Sequence, residues 1–517
     1  MNPQNEQFIR KLSASFLCLT FAGGIGAYAQ TTPPASRDGS SASLADSVQQ
    51  LRQQVEELRG AVADMKSQTE EYRRQNDELR KELEAMREGG QKTSDATASA
   101  VAVPVTATVP EQRISSLEET TQVVQSQVRT QYQTKVESAS KYRVRLSGLV
   151  LLNLFSNRGA TDNLDFPTYA APGNLYGANS TFGATLRQSE LGLEVFGPEL
   201  AGAKTSGQVQ FDFGGGFPTG AFDGVNTGLV RLRTASARLD WDDTSIIAGQ
   251  DALFISPNSP TSFASLVIPS LGYSGNLWAW TPQLRLEHRF KLDDGQRVTV
   301  SAGILDNVTG DPAFGTHRQP QAGESSGQPA YGLRASWSRD VSGRQLAFGA
   351  SGYYSRQNWN LGWNVDGWAG LADWNIPIGQ RLELSGELYR GRALGGIGGG
   401  IGQSLVFSSS TPVPGTQFRP VDAVGGWSQL KFAATPRLEF NGAFGLDNPF
   451  GSDIHAFPAP ADYYPAVLAA NRSSMFNFIY RPRSNLLVSG EYRHLHTTEI
   501  GSYNTAGQVN LMMGVLF

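Results

Sequence analysis

The sequence has a single cysteine among its 517 residues and no apolar run long enough to cross a bilayer as a helix. That cysteine, Cys18, lies within an N-terminal apolar stretch and follows Phe16 and Leu17, without the small residue expected before a lipidated cysteine. Beyond it there is no thiol, so disulfides and cysteine catalysis are excluded. Nor is there a nucleophile elbow, a serine–histidine pair or a metal triad, so no enzyme activity, metal or cofactor is implied. Lys and Arg number 43 against 47 Asp and Glu, which leaves no basic excess to attract nucleic acid. A mean hydropathy of -0.30 excludes a helical membrane protein. It does not exclude a barrel, which hides its apolar face in alternation.

Residues 1–29 place Arg10 and Lys11 before the apolar run from Leu12 to Ile25, which ends in Ala27-Tyr28-Ala29. This is the pattern of a cleaved secretory signal peptide. Residues 30–43 lack periodicity and are expected to be disordered. From 44 to 88, residues recur at alternating steps of four and three, beginning Leu44, Val48, Leu51, Val55, Leu58, Val62 and Met65. Such a seam predicts a coiled coil. Thr69 and Asn76 interrupt the seam and fix its register, leaving dimer and trimer both open. A Ser/Thr/Ala/Pro-rich linker covers 89–112, and a weaker helical period covers 113–138. Both helices read as periplasmic spacers, with the cell wall as a partner within their reach.

From residue 142 to 517 the period changes to two. Segments of alternating residues, separated by turn-rich stretches, give sixteen candidate antiparallel strands and an all-β transmembrane barrel. Val509, Leu511, Met513, Val515 and Phe517 share one face of the last segment. Short connectors such as Asp242-Asp243 alternate with long ones such as 252–280 and 390–422, as in barrels with periplasmic turns and external loops. Phe196, Trp241, Phe290, Trp337, Trp374, Tyr480 and Phe517 end seven of the eight descending strands and predict an aromatic girdle at one membrane level.

Leu384 and Leu388 alternate with Glu383 and Glu387, so the polar set must face a lumen, and sixteen strands enclose one too wide for side chains to fill. A water-filled channel for passive diffusion follows. Arg145, Arg187, Arg231, Arg233, Arg285 and Arg334 fall on predicted inner faces, accompanied by Asp212, Glu287 and Glu387. They form either a ladder that draws anions through the pore or a set of ion pairs that holds the wall. A parity shift between Leu232 and Leu239 predicts a bulge near Arg231 and Arg233. The 252–280 connector holds Phe254, Ser256, Ser259, Ser262 and Tyr273 and is too apolar for an ordinary surface loop. Folding into the lumen would make it a constriction; packing on the rim or between subunits is the alternative. The run Gly395 to Gly402 reads as a flexible external loop rather than a nucleotide site, and His494 with His496 as rim histidines.

The coil, the barrel, the stretch Leu229-Val-Arg-Leu-Arg-Thr-Ala235, then Ala248-Gly-Gln250 and a long third loop together resemble the DcaP-like family of trimeric outer-membrane porins. The resemblance covers most of the chain after the leader. It implies a homotrimer in outer-membrane lipid, a periplasmic coil and uptake of small anions such as dicarboxylates. It also implies that Arg231 and Arg233 line the channel and that the loop after Gln250 constricts it. Sucrose-type porins also carry a coil ahead of the barrel, so a sugar is the alternative solute.

Overall fold

The computed structural model describes residues 143–172, 180–216, 228–310, 318–410, 412–457 and 468–517. The expected leader, disordered stretch, coiled coil, linker and second helix, residues 1–138, lie outside them. The strands, in chain order, are β1 (Arg143–Arg158), β2 (Ser180–Thr185), β3 (Glu190–Leu200), β4 (Ala203–Asp212), β5 (Arg231–Asp240), β6 (Thr244–Ala252), β7 (Trp280–Lys291), β8 (Gln296–Leu305), β9 (Ala330–Val341), β10 (Arg344–Asn358), β11 (Asn364–Ile378), β12 (Leu382–Arg392), β13 (Leu405–Phe407), β14 (Phe418–Pro420), β15 (Asp422–Thr435), β16 (Leu438–Pro449), β17 (Leu468–Arg483), β18 (Leu486–Glu499) and β19 (Ser502–Leu516). β13 and β14 form a hairpin inside one long loop. β2 and β3 pair with opposite halves of β1 and share one stave, broken at residues 186–189. Each stave pairs antiparallel with the next, and β1 closes on β19 from Leu149↔Leu516 to Arg158↔Gly507. The result is a closed barrel of sixteen staves, each with a neighbour on both sides.

Alternation sets the faces. Along β11, Trp368 is exposed on the outside while Ala369, Leu371 and Asp373 are buried inside. Along β19, Val509, Leu511, Met513 and Val515 point outward and Asn510 and Met512 inward. At one end the hairpins are tight: Ala201-Gly202 and Ser342-Gly343 both take positive φ at two successive residues, the geometry that matches strand twist. Phe290, Tyr480 and Phe517 lie outward at that end, as does Trp337, which stacks on Phe348 at 6.3 Å. Phe196 departs from the expected girdle. It sits in a cavity with Glu194 and Gln208, its ring 5.0 Å from the Arg145 guanidinium, because it shares the strand parity of Glu190 and Glu194, the inward set, and not that of the outward Leu191 and Leu193.

The inner face is not uniformly polar. Leu149, Leu151, Leu487 and Met512 point inward and are buried against Ala264, with Phe263 and Leu266 packed beside them. The second large cluster joins Leu253, Phe254, Ile255 and Leu277 to Leu305, Tyr353 and Leu371 on the wall. Both cores contain residues of the 253–279 loop, which therefore lies inside the barrel.

Candidate functional site

The β5 strand carries the expected bulge: register with β4 shifts between Gln210 and Phe211, so Arg231 and Arg233 point inward while Leu232 stays exposed. Fully buried Asp212 accepts from Arg231 Nε at 3.0 Å and lies 3.6 Å from Arg233, which also pairs with Glu190. Both guanidinium carbons lie 4.8 Å from the Trp280 ring centroid. Arg231 donates on to the Val267 carbonyl at 2.6 Å, tying this wall to the loop.

The other predicted arginines do not join one continuous cluster. Arg285 pairs with Asp251 at 3.1 Å and Glu287 at 2.9 Å, beside Phe254. Arg145 meets Glu194 at 3.0 Å, and Arg334 holds Asp373 bidentately. Arg187 is buried against Asp165 at 3.0 Å and over Phe166. Two other inward cations, Arg297 and Lys431, have no described carboxylate within ion-pair distance. They line a cavity of about 390 Å³ under the loop with Arg334, Glu383 and Gln429.

Carboxylates and amides of the wall hold the loop. Ser256 Oγ lies 2.5 Å from Glu387 Oε2, and the Asn258 amide donates to Glu387 Oε1 at 2.9 Å. Glu387 is therefore buried beneath the loop. The Thr261 amide donates to Gln429 at 2.6 Å, and Asn477 donates to the Thr261 carbonyl at 2.8 Å. Ser262 donates to Glu491 at 2.5 Å, while Ser259 accepts from Asn276 at 3.0 Å. Asn471 donates to the Tyr273 carbonyl at 2.8 Å, and the Tyr273 ring meets Trp278 edge-on at 5.9 Å. Burial, helped by the nearby charge of Asp162, raises the Tyr273 phenol above its usual range. At the stave break, Gln188 donates to the Ala264 carbonyl at 2.6 Å and accepts from the amides of Leu266 at 2.7 Å and Val267 at 3.1 Å. The loop is thus fastened to β5, β12, β15, β17, β18 and the β2–β3 break.

The glycine run is not a flexible external loop. Gly395, Ile397, Gly400 and Ile401 are buried, and the Trp278 amide donates to the Ile397 carbonyl at 3.0 Å. Its glycines permit this approach: a Cβ on Gly396 would stand 2.1 Å from the Val308 carbonyl oxygen. Tyr389 and Asp447 receive the turn, with Asp447 accepting from Tyr389 at 2.7 Å and from the Ile401 amide at 3.0 Å. The two isoleucines were the overlooked signal, because a flexible external loop has no reason to carry them. His494 and His496 both point outward, and the described residues contain no group of three side chains able to hold a metal.

A sixteen-stave barrel with a long loop pinned across its interior is a recognisable arrangement. The fold is that of an outer-membrane porin. The barrel is similar to the outer membrane channel DcaP of Acinetobacter baumannii, with a TM-score of 0.55 and 18% identity over 74% of this chain and 99% of that one. It is less similar to an anion-selective porin from Comamonas acidovorans, with a TM-score of 0.44 and 11% identity over 73% of this chain and all of that one. OprB of Pseudomonas putida gives a TM-score of 0.45 and 11% identity, covering 73% and 94%. No protein-family model matches the sequence, and no curated protein matches it.

Proposed function

We propose that the protein is a porin through which small hydrophilic solutes diffuse passively, that it works as a homotrimer in the outer membrane, and that it favours anions such as dicarboxylates. The observation that carries the reading is the 253–279 loop pinned across the lumen above a charged cavity. A loop so placed narrows a wide barrel to a size-selective passage. Anion preference rests on charge accounting. The inward arginines of β5 and β7 are neutralised by Asp212, Glu190, Asp251 and Glu287, whereas Arg297 and Lys431 below the loop are not. Unpaired fixed cations beside water raise the local concentration of small anions. The coil expected at 44–88 would lie in the periplasm.

Planar-bilayer recording in a salt gradient tests this. Three-step closures and a reversal potential on the anion side are expected; a silent or cation-selective protein refutes it. Sugars are the second reading, favoured by the Tyr273 and Trp278 rings in the loop, and sucrose block of the ionic current would select it. If the protein is instead a tether to the cell wall, deleting Ser43 to Glu88 causes the membrane to bleb, whereas a porin so shortened still conducts.

A further inference from the structure

Outward side chains on four neighbouring staves change character at one level. From the tight-turn end, β17 presents Tyr480, Phe478 and Phe476, β18 presents Val488 and Tyr492, β19 presents Phe517 to Val509, and β1 presents Leu146 to Leu154. The next outward positions toward the long loops are Ser474 and Arg472, His494 and His496, Gly507 and Thr505, and Ser156 and Arg158. Register makes them neighbours: Arg472 faces His496, His496 faces Thr505, and Gly507 stands between His494 and Arg158. Arg158 and His494 thus flank a position with no side chain, two strand spacings or about 10 Å apart. The Tyr492 hydroxyl leans over that glycine, 3.5 Å from where a Cβ would be, and Tyr503 stacks on His496 at 5.4 Å.

At the long-loop border of the belt on other staves, three outward arginines have carboxylate partners. Arg356 pairs with Asp366 at 3.0 Å, and Asp422 holds Arg392 at 2.9 Å and Arg390 at 3.3 Å. Arg158 and Arg472 are exposed, and no described carboxylate lies within ion-pair distance of either. An unpaired guanidinium at the edge of a lipid-facing belt suits a fixed anion there, and phosphate oxygens accept from a guanidinium bidentately. Each imidazole adds at least one N–H donor.

We propose that the outward surface formed by Arg158, Arg472, His494 and His496 around Gly507 binds the phosphorylated headgroup of an outer-leaflet lipid. The acyl chains would lie down the apolar belt below, over Val509, Leu511 and Leu152. The site belongs to the outside of the barrel, so it stands apart from the channel reading except in needing the long loops to face outward.

The test is native mass spectrometry of the purified full-length protein titrated with diphosphorylated lipid A, repeated with the fully dephosphorylated lipid and with inorganic phosphate. Arg158→Gln/Arg472→Gln is expected to weaken lipid A binding roughly tenfold or more, from the loss of two charge-assisted contacts. Arg158→Lys/Arg472→Lys should keep most of it, and Arg356→Gln, on the neutralised side, all of it. Four results overturn the proposal: equal binding by the double glutamine variant, equal binding of the dephosphorylated lipid, full competition by millimolar inorganic phosphate, or dissociation of the oligomer in that variant. The last would make the patch a contact between copies of the chain. A bilayer recording of the double variant should show unchanged conductance, which separates failure here from failure of the channel reading.

Discussion

Replacing Gln188 with Leu should release the interior loop without harming the barrel. Gln188 is fully buried at the stave break, and its amide makes three hydrogen bonds to the backbone of residues 264–267. Leucine is near it in volume, so little cavity forms, but two amide N–H groups and one carbonyl lose their partner. At about 1 kcal/mol net per bond the loop loses about 3 kcal/mol of local stability. That corresponds to a roughly hundredfold larger opening equilibrium at this end of the loop. Hydrogen exchange at the Leu266 and Val267 amides measures it directly, and single-channel recording should show added open-state noise. Gln188→Glu keeps both acceptor bonds and, only when protonated, can still donate to the Ala264 carbonyl, so its loop protection should rise toward the wild-type level as pH falls. Melting of the barrel should move little, because the strand ladders do not use Gln188. Unchanged protection at Leu266 and Val267 in Gln188→Leu would refute the assignment of this residue as the loop's clamp.

Asp212→Asn removes the negative charge that Arg231 and Arg233 share and leaves one acceptor oxygen in place. With Arg231 still 27% exposed, the cost should stay near 3 kcal/mol or less, read as a lower melting temperature in detergent. Gly396→Ala puts a Cβ 2.1 Å from the Val308 carbonyl, so the glycine turn must shift off Trp278; a changed indole emission at that ring is the expected signature. Arg297→Gln/Lys431→Gln should move the reversal potential toward cations with little change in melting temperature, since neither has a described carboxylate within ion-pair distance.

Much of the barrel could be read directly from residue types. Alternation located all sixteen staves, and the bulge near Arg231 and Arg233 showed as a parity change in β5. Alternation failed where both faces of a strand are apolar. In β1, Leu149 and Leu151 point in while Val150 and Leu152 point out, because the inner pair packs on the loop rather than on water. Nothing local announces this; the partner lies more than a hundred residues away. Distant partners also take Gln188, whose three bonds end 76 to 79 residues on at residues 264–267, and Asn471 and Asn477, which grip the loop from β17. Polar residues on an inner face were expected to meet solvent, and these meet backbone instead.

That exchange bears on how selectivity is divided among the charges. A loop carried into a lumen brings amides, carbonyls and hydroxyls that must find partners away from bulk water, and the wall supplies them with Glu387, Gln429, Glu491 and Asn477. A carboxylate committed in this way holds structure first, and its field is largely cancelled by the donors around it. The same is true of an arginine locked between Asp212 and a loop carbonyl, as Arg231 is. Changing such residues alters the width of the passage before it alters the sign of its charge. Groups without a fixed partner act the other way, since removing Arg297 or Lys431 changes the potential felt by a passing ion and leaves the loop in place. Conductance should therefore follow substitutions in the paired set, and the reversal potential should follow substitutions in the unpaired set. The two measurements separate if each charge inside this barrel has one principal task.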